Sequence, residues 1–445
     1  MAPDTVYVRW VWCRAVLHRG WWLATSVYLV VDARLTASQL ALIGVAQAAV
    51  ALLFEVPAGV VADTLSRKYS LVVAHLLMGA AMVLTGLVTD FGPLVATQML
   101  WGLSWTFAGG ADVAWISDEL GDPARVPQVL IRAEQAQLLG TVAGLTAIGS
   151  LAWLIGRAPA MVLAGAAMLL LGLYVAIRFP ERHFTPAWSA APKILARGAG
   201  LVRGSRALLA AFAATFLVSG VSDAFGRLYP LRLATLAPAL DPIVWFTALG
   251  VLMCLLGAAA LRIAQRRIDG PDTARRFYDT ARRFYDTARR FYDTARRFYD
   301  TARRFYDTAR RFYDTARRFY DTARRFCDTA RRGYAAACSV AAAGITGLAL
   351  TRTPAAGSVA VLLAAGALPL TRSFGTVWVN SHTVDDTRAT VHSLLAQAEY
   401  AGKIACGLTV AAVAGHVGPL LALTGCAALL MLAIVIVQRS GTPPP

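Results

Sequence analysis

The chain has 445 residues, 57% hydrophobic and 16% charged, with a formal net charge of +17. Residues 272–332 are nine copies of Asp-Thr-Ala-Arg-Arg joined by short aromatic spacers, and they supply nine of the 17 net positive charges. The other 384 residues are only about 11% charged, against about a quarter in a soluble domain, which excludes a soluble fold and leaves little polar surface for nucleic acid.

Apolar runs long enough to cross a bilayer, or nearly so, are predicted at about 8–31, 38–62, 69–89, 93–116, 129–154, 158–178, 208–231, 242–264, 334–351, 355–379, 393–415 and 417–437. Charges or breakers close them, as at Asp63 to Lys68, Gly92-Pro93, Asp118 to Arg125 and Asp241-Pro242. The expected fold class is an all-α membrane protein with twelve transmembrane helices in two six-helix bundles, residues 1–179 and 208–440. A cytoplasmic linker, 180–207, joins the bundles, and the repeat 272–332 is inserted between the eighth and ninth helices. Lys and Arg concentrate on the even-to-odd connections, which predicts a multi-pass protein of the inner or plasma membrane with both termini cytoplasmic. Trp115, Asp122, Arg125 and Gly144 recur, 263 residues later, as Trp378, Asp385, Arg388 and Gly407. Related halves of this kind suit a transporter whose site lies between them.

The sharpest short signal is Gly59-Val-Val-Ala-Asp63-Thr-Leu-Ser-Arg67-Lys68-Tyr, between the second and third runs. An aspartate there can cap a helix N-terminus and a cation suits a C-terminus; the plain alternative is a basic loop that only sets topology. Here the chain resembles the major facilitator superfamily, in particular its proton-driven drug exporters. The resemblance implies that Gly59 permits a close helix contact, that Asp63 meets a helix end and nearby basic residues, and that Arg67 and Lys68 help latch the halves on the cytoplasmic side. The matching segment of the second half, Gly257 to Arg267, lacks the acid four residues after its glycine.

The fourth run, Trp101 to Glu119, resembles a tryptophan-serine-acid-acid signature of tetracycline-like and multidrug members. Asp112 would take a proton or meet a cationic drug; its structural alternatives are a buried partner for Arg14 and simple helix termination. Asp118 and Glu119 suit loop caps. In the fifth run, Gly140, Gly144 and Gly149 resemble the antiporter glycine signature without its central glycine-proline pair, and small residues there would allow close packing against the facing half.

Charges inside the other runs are candidates for coupling or for buried pairing. Asp223 and Arg227 are four apart on one helix face; pairing makes their burial tolerable and leaves a carboxylate able to exchange its partner for a proton. Glu55 and Glu399 are secondary candidates. Arg14, His18, Trp105 and Trp115 are candidate substrate-cavity contacts, while most of Trp10, Trp12, Trp21 and Trp22 suit interface anchoring. The six His are scattered, and there is neither a metal-ligand cluster, nor a nucleophile-base set, nor a phosphate-binding Gly-Lys-Ser or Gly-Lys-Thr.

Ala274, Phe277, Ala281 and Phe284 put one stripe on a helix, and the identity of the units suggests duplication, so the repeat reads as a tolerated cytoplasmic insertion; a lipid-surface or self-association element and a regulatory or partner-binding rod are the alternatives, and a monomer is favoured. The function expected is proton-coupled efflux of small amphiphilic compounds or drugs by alternating access, not enzymatic, without a cofactor and driven by the proton gradient. Its partners are a small-molecule substrate, a cationic amphiphile or antibiotic-like polyketide by the resemblance, and membrane lipids. A proton-coupled importer of a small metabolite and a non-transporting scaffold are the rivals.

Overall fold

A computed structural model describes residues 3–122, 125–186, 200, 204–236, 240–265, 330–380 and 385–439. All but the last three residues of the repeat, much of the 180–207 linker, the side chains from Gly257 to Arg267, and those of Trp378, Asp385 and Arg388 lie outside the described residues.

Thirteen helices are described. The first half holds α1 (Pro3–Val31), α2 (Ala37–Thr64), α3 (Arg67–Thr85), α4 (Phe91–Ala108), α5 (Ala111–Leu120), α6 (Val126–Ile155) and α7 (Arg157–Arg178). The second holds α8 (Arg206–Leu236), α9 (Pro242–Gln265), α10 (Ala330–Leu350), α11 (Pro354–Asn380), α12 (Asp385–His416) and α13 (Pro419–Arg439). Eight of them, α2, α3, α6, α7, α8, α10, α11 and α13, are long and apolar enough to cross a membrane. α1 has the length, 29 residues, but carries Arg9, Arg14 and Arg19. The chain is a multi-pass membrane protein.

Local chemistry sets several helix ends. Thr36 and Gln39 form a capping box at the start of α2, satisfying backbone N–H groups that a helix leaves without partners. Ser66 caps α3 by accepting from the Tyr69 N–H. The fourth apolar run, expected as one span, is two helices: the chain breaks at Gly109-Gly110, where Gly110 has φ +76°. Only glycine adopts that conformation without steric cost, and the new start it creates puts Asp112 in the first turn of α5, where a negative charge is stabilised.

The same packing scheme occurs in both halves. α1 packs on α6 and α3 on α7 and α4; α8 packs on α12 and α10 on α13 and α11. The close contacts need glycine. A methyl group at Gly140 would lie 2.6 Å from the Trp12 carbonyl oxygen, and one at Gly144 would run into that of Val16. In the second half Gly402 and Gly220 bring α12 and α8 together in the same manner. Gly140 and Gly144 were expected to meet the facing half, but they pack within their own; among the three glycines Gly149 is the one that crosses, against Thr247 of α9. The reason is angular: Gly149 is five residues past Gly144, about 140° around the helix.

Across the seam α2 lies on α12 and α6 on α9, with α2 also touching α8 and α1 touching α8 and α9. Ser38 Oγ donates to the Ala411 carbonyl at 2.8 Å, a Cβ at Gly407 would lie 2.7 Å from Val45, and one at Gly250 would lie 3.2 Å from Leu145. With Gly149 and Thr247, these contacts occupy the half of the seam remote from the termini. Tyr400 Oη donates to Glu55 at 3.2 Å, and lies closer to the terminal end than they do.

Candidate functional site

At the terminal end of the first half, Arg67 is the hub. Its guanidinium donates to Asp118 and, at 2.9 Å, to the Ala114 carbonyl, which ties the start of α3 to α5; Asp63 lies 3.9 Å away one turn back. Glu181, just beyond α7, accepts from Ser66 Oγ at 2.6 Å and from the Lys68 backbone N–H at 3.0 Å. Glu119 in turn accepts the N–H groups of Arg182 and His183 at 2.6 and 3.2 Å. These contacts of Arg67, Glu181 and Glu119 all stay inside the first half, so the cluster locks α3, α5 and the end of α7 into one body. Gly59 makes no close helix contact in this conformation, for a methyl group there would meet nothing within 4 Å. The sequence motif names Asp63, Arg67 and Lys68 but not Glu181, which lies 113 residues from Lys68.

Two acid–arginine pairs lie farther in. Arg14 of α1 donates to Asp112 of α5 at 3.3 Å and stacks over Trp10, 4.3 Å from the ring centroid. Arg227 of α8 holds Asp223 one turn earlier through Nε at 2.8 Å and Nη2 at 3.3 Å, and Nη2 also donates to Gln47 of α2, in the opposite half. From Gln47 a buried run of hydrogen bonds continues to Gln98 of α4 at 2.9 Å and to Thr85 of α3 at 3.1 Å. α2 comes this close because residue 44 is glycine: a Cβ there would collide with the Arg227 guanidinium and the Asp223 carboxylate. Glu399 of α12 pairs with Arg372 of α11 at 2.8 Å, and Lys403 lies 5.1 Å from the centre of the Tyr400 ring.

The aromatic candidates divide. Trp115 is 1% exposed, stacked 4.2 Å from Phe179, and donates to the Pro180 carbonyl at 2.7 Å. It is a core residue holding α5 to the end of α7, and its assignment to a substrate cavity is corrected on that ground. Trp105 and Trp101 of α4 enclose His18 of α1, at 5.0 and 5.6 Å between ring centroids, and Trp22 lies 5.0 Å from Trp101. The ring nitrogens His18 Nε2, Trp101 Nε1 and Trp105 Nε1 are buried without a hydrogen-bond partner among the described residues. Beside this group stands a residue that sequence reasoning missed. Arg19 is exposed, and among the described residues it makes no hydrogen bond or ion pair. The signal was its spacing of three and seven from Trp22 and Ser26, which line a recess with Gln98, Arg227 and Pro230.

Neither a family model nor a curated protein sequence matches the chain. Solved structures do. The nucleoside transporter NupG superposes with a TM-score of 0.69 at 12% identity, covering 99% of each chain. The POT family transporter PepTSo gives 0.67 at 10% identity, covering 98% of this chain and 97% of that one. The fold is that of these solved transporters. A bacterial homologue of the human lysosomal transporter Spinster, in its inward-facing and unoccupied conformation, gives 0.64 at 13% identity, with 98% and 99% covered. Within this fold, the seam between the halves holds Glu55 and Tyr400, Asp223 with Arg227 and Gln47, and the recess lined by Trp22, Ser26, Gln98, Arg227 and Pro230.

Proposed function

We propose that the protein is a secondary active transporter that moves small molecules by alternating access, coupled to protons and working as an exporter. The observation that carries the reading is the Asp223–Arg227–Gln47 connection, which places an ionisable pair on the surface between the two halves. A rocking motion has to break and remake contacts on that surface. With Asp223 ionised, Arg227 has a counter-charge and is oriented toward Gln47. Protonation of Asp223 removes the counter-charge and leaves a cation that is better served by water or by another acceptor. The α2–α8 contact is then weakened, and the remote end of the seam can open.

Lys and Arg on the even-to-odd connections favour a cytoplasmic terminal end. On that reading the contacts between Ser38 and Ala411 and between Gly149 and Thr247 close the external side, and the cleft faces the cytoplasm. Glu55, accepting from Tyr400 across the seam, is a second carboxylate that changes partners when the halves move. Arg14–Asp112 closes within one half, which suits a positioning pair. Export is favoured by the drug-exporter likeness of the segments Gly59–Lys68 and Trp101–Glu119.

Purified protein in sealed vesicles with an imposed pH gradient, offered a panel of drugs and small metabolites, tests the proposal. The expected result is gradient-driven movement of at least one compound against its proton gradient, abolished by a protonophore. Movement in the same direction as protons makes the protein an importer. Folded protein that moves no compound under any gradient overturns the transport reading.

A further inference from the structure

We infer that the recess between α1, α4 and α8 is a site for one ordered water against Arg227, and that this water lets Arg227 part from Asp223. The site is argued from the residues that line it; its part in coupling rests on the alternating-access reading proposed above.

The recess has the size for it. About 20 Å³ is open to the centre of a water-sized molecule, and one water needs about 10–15 Å³ counted in that way. Thr25 of α1, Gln98 of α4 and Arg227 of α8 line the recess and are buried, and Arg227 is the one charged residue among those that line it. Gln47 of α2 meets Arg227, whereas it is Leu40 of the same helix that lines the recess. The recess therefore extends from Arg227 toward Ser38 and its contact with Ala411.

Its polar groups match the bonding of a single water. Thr25 is 2% exposed, and its Oγ1 is buried with no hydrogen-bond partner among the described residues. Pro230 has no N–H, so the carbonyl of Gly226, four residues earlier, is without its usual helical donor; both residues line the recess. Those are two acceptors. Arg227 uses Nε and Nη2 on Asp223 and Gln47, and its Nη1 has no acceptor among the described residues. Gln98 donates one amide N–H to Thr85, and an amide nitrogen carries two. Donors and acceptors thus face one space, as they do around buried waters with two to four bonds. A cation there would be repelled by Arg227, and Asp223 already supplies the negative charge, so a neutral ligand fits best.

Gly226 is a second, independent observation. Glycine weakens a helix relative to alanine, and at Gly220 of the same helix packing accounts for it, because a methyl group would run into the Gly402 carbonyl. At Gly226 a methyl group would meet nothing within 4 Å. Contact with the chain does not explain that glycine, but room for a ligand does.

The consequence for coupling follows from charge. When Asp223 takes a proton, the Arg227 guanidinium keeps its own charge at a buried position, where a cation without a partner is costly. No other charged residue lines the recess to replace Asp223. A water bonded through Nη1, which Asp223 does not use, solvates the cation in both states. On the topology proposed above it stands on the external side of the pair.

The test begins with a crystal structure of the full chain at a resolution that shows ordered water. One peak in the recess, within hydrogen-bond distance of Arg227 and Thr25, is expected; a dry recess overturns the site. Thr25→Val then removes the hydroxyl at nearly constant volume. Removing a buried group that truly lacks a partner should raise the thermal midpoint or leave it unchanged, whereas loss of a hydroxyl that holds a water should lower it, with recovery in Thr25→Ser. Gly226→Ala, which puts a methyl group beside the recess, should also lower it in spite of the better helix propensity of alanine, and its effect should not add to that of Thr25→Val. A midpoint that rises in Thr25→Val, or full additivity of the two changes, overturns the assignment. In vesicles Thr25→Val should reduce gradient-driven transport about tenfold, the scale of one hydrogen bond to a charged group. Transport unchanged in Thr25→Val but lost in Asp223→Asn would keep the transport reading and remove the water from coupling. Water in the recess of a protein that moves nothing under any gradient would keep the site and remove the transport reading.

Discussion

Arg14–Asp112 and Arg227–Asp223 are the same two side-chain types paired inside the same fold, yet they stand differently toward the seam. The first joins α1 to α5 at 3.3 Å, with both side chains about 15% exposed or less, and both helices belong to one half. The second is a one-turn pair on α8, its arginine only 7% exposed, and the Nη2 of that arginine donates both to Asp223 and to Gln47 in the other half. A change of protonation at Asp112 alters how one bundle holds itself together. At Asp223 it alters how the two bundles hold each other. A buried charge pair becomes part of a transport cycle through the surface on which it lies, and its composition alone does not decide the matter.

The largest effect should come from fixing the seam outright. A Cβ at Gly415 would lie 3.9 Å from that of Ser38, within the span of about 3.5–4.5 Å that a disulfide requires. Ser38→Cys with Gly415→Cys is therefore expected to cross-link on oxidation and to reduce transport to the level of empty vesicles, with recovery on reduction. Each single variant, treated with the same oxidant, should keep transporting. Full transport by the cross-linked protein would mean that this end of the seam never opens.

Next in size is the contrast between the two acids. Asp223→Asn should lower gradient-driven transport by at least about tenfold, the effect of removing one strong coupling interaction, while counterflow down a substrate gradient persists. Asp112→Asn should leave the response to the pH gradient in place and show itself as a lower thermal midpoint, because Arg14 loses its carboxylate without the seam being touched. If Asp112→Asn loses gradient response as fully as Asp223→Asn, the distinction between the pairs fails. A smaller effect is expected at Glu55→Gln: Tyr400 can still donate to the amide oxygen, so transport should fall by a few-fold at most.

How far the sequence foretold these features depends on distance along the chain. Hydropathy and charge placement located membrane helices because each signal is contained in about 20 neighbouring residues. The pairing of Asp223 with Arg227 was legible for the same reason, being a four-residue helix spacing. Gln47 was not, since it lies 180 residues from Arg227, and no local pattern says which face of α2 meets α8. Glu181 was hidden from the Arg67 motif in the same way. The break at Gly109-Gly110 was visible as two glycines, but hydrophobicity runs through it uninterrupted and outweighed them. Trp115 shows the opposite error: it was placed among the cavity contacts, whereas Phe179 and Pro180 fold back to cover it. Arg19 was passed over because it adjoins His18 and shares a helix with Arg14; only the partners of those neighbours show which cation is left without one among the described residues.

The smallest effect is expected where the chain is most repetitive. The seam is built from contacts whose positions cannot shift: Gly44 must be glycine for Arg227 to pass, and Gly149 for Thr247. The segment 272–332 is built instead from identical units, seven residues from one Asp-Thr-Ala-Arg-Arg to the next. Seven residues are close to two helical turns, so excising whole units from a helix leaves the phase of its ends changed by only about 20° each; excision from a non-helical segment changes a tether length and no packed surface. In either case the helices α9 and α10 that flank the repeat keep their own contacts with α6, α11 and α13. Removing three units should therefore leave membrane insertion and gradient-driven transport within about twofold of the parent, the scatter expected of such comparisons. If transport is lost while the amount of protein in the membrane is unchanged, the repeat is a working part and the seam is not the whole machine.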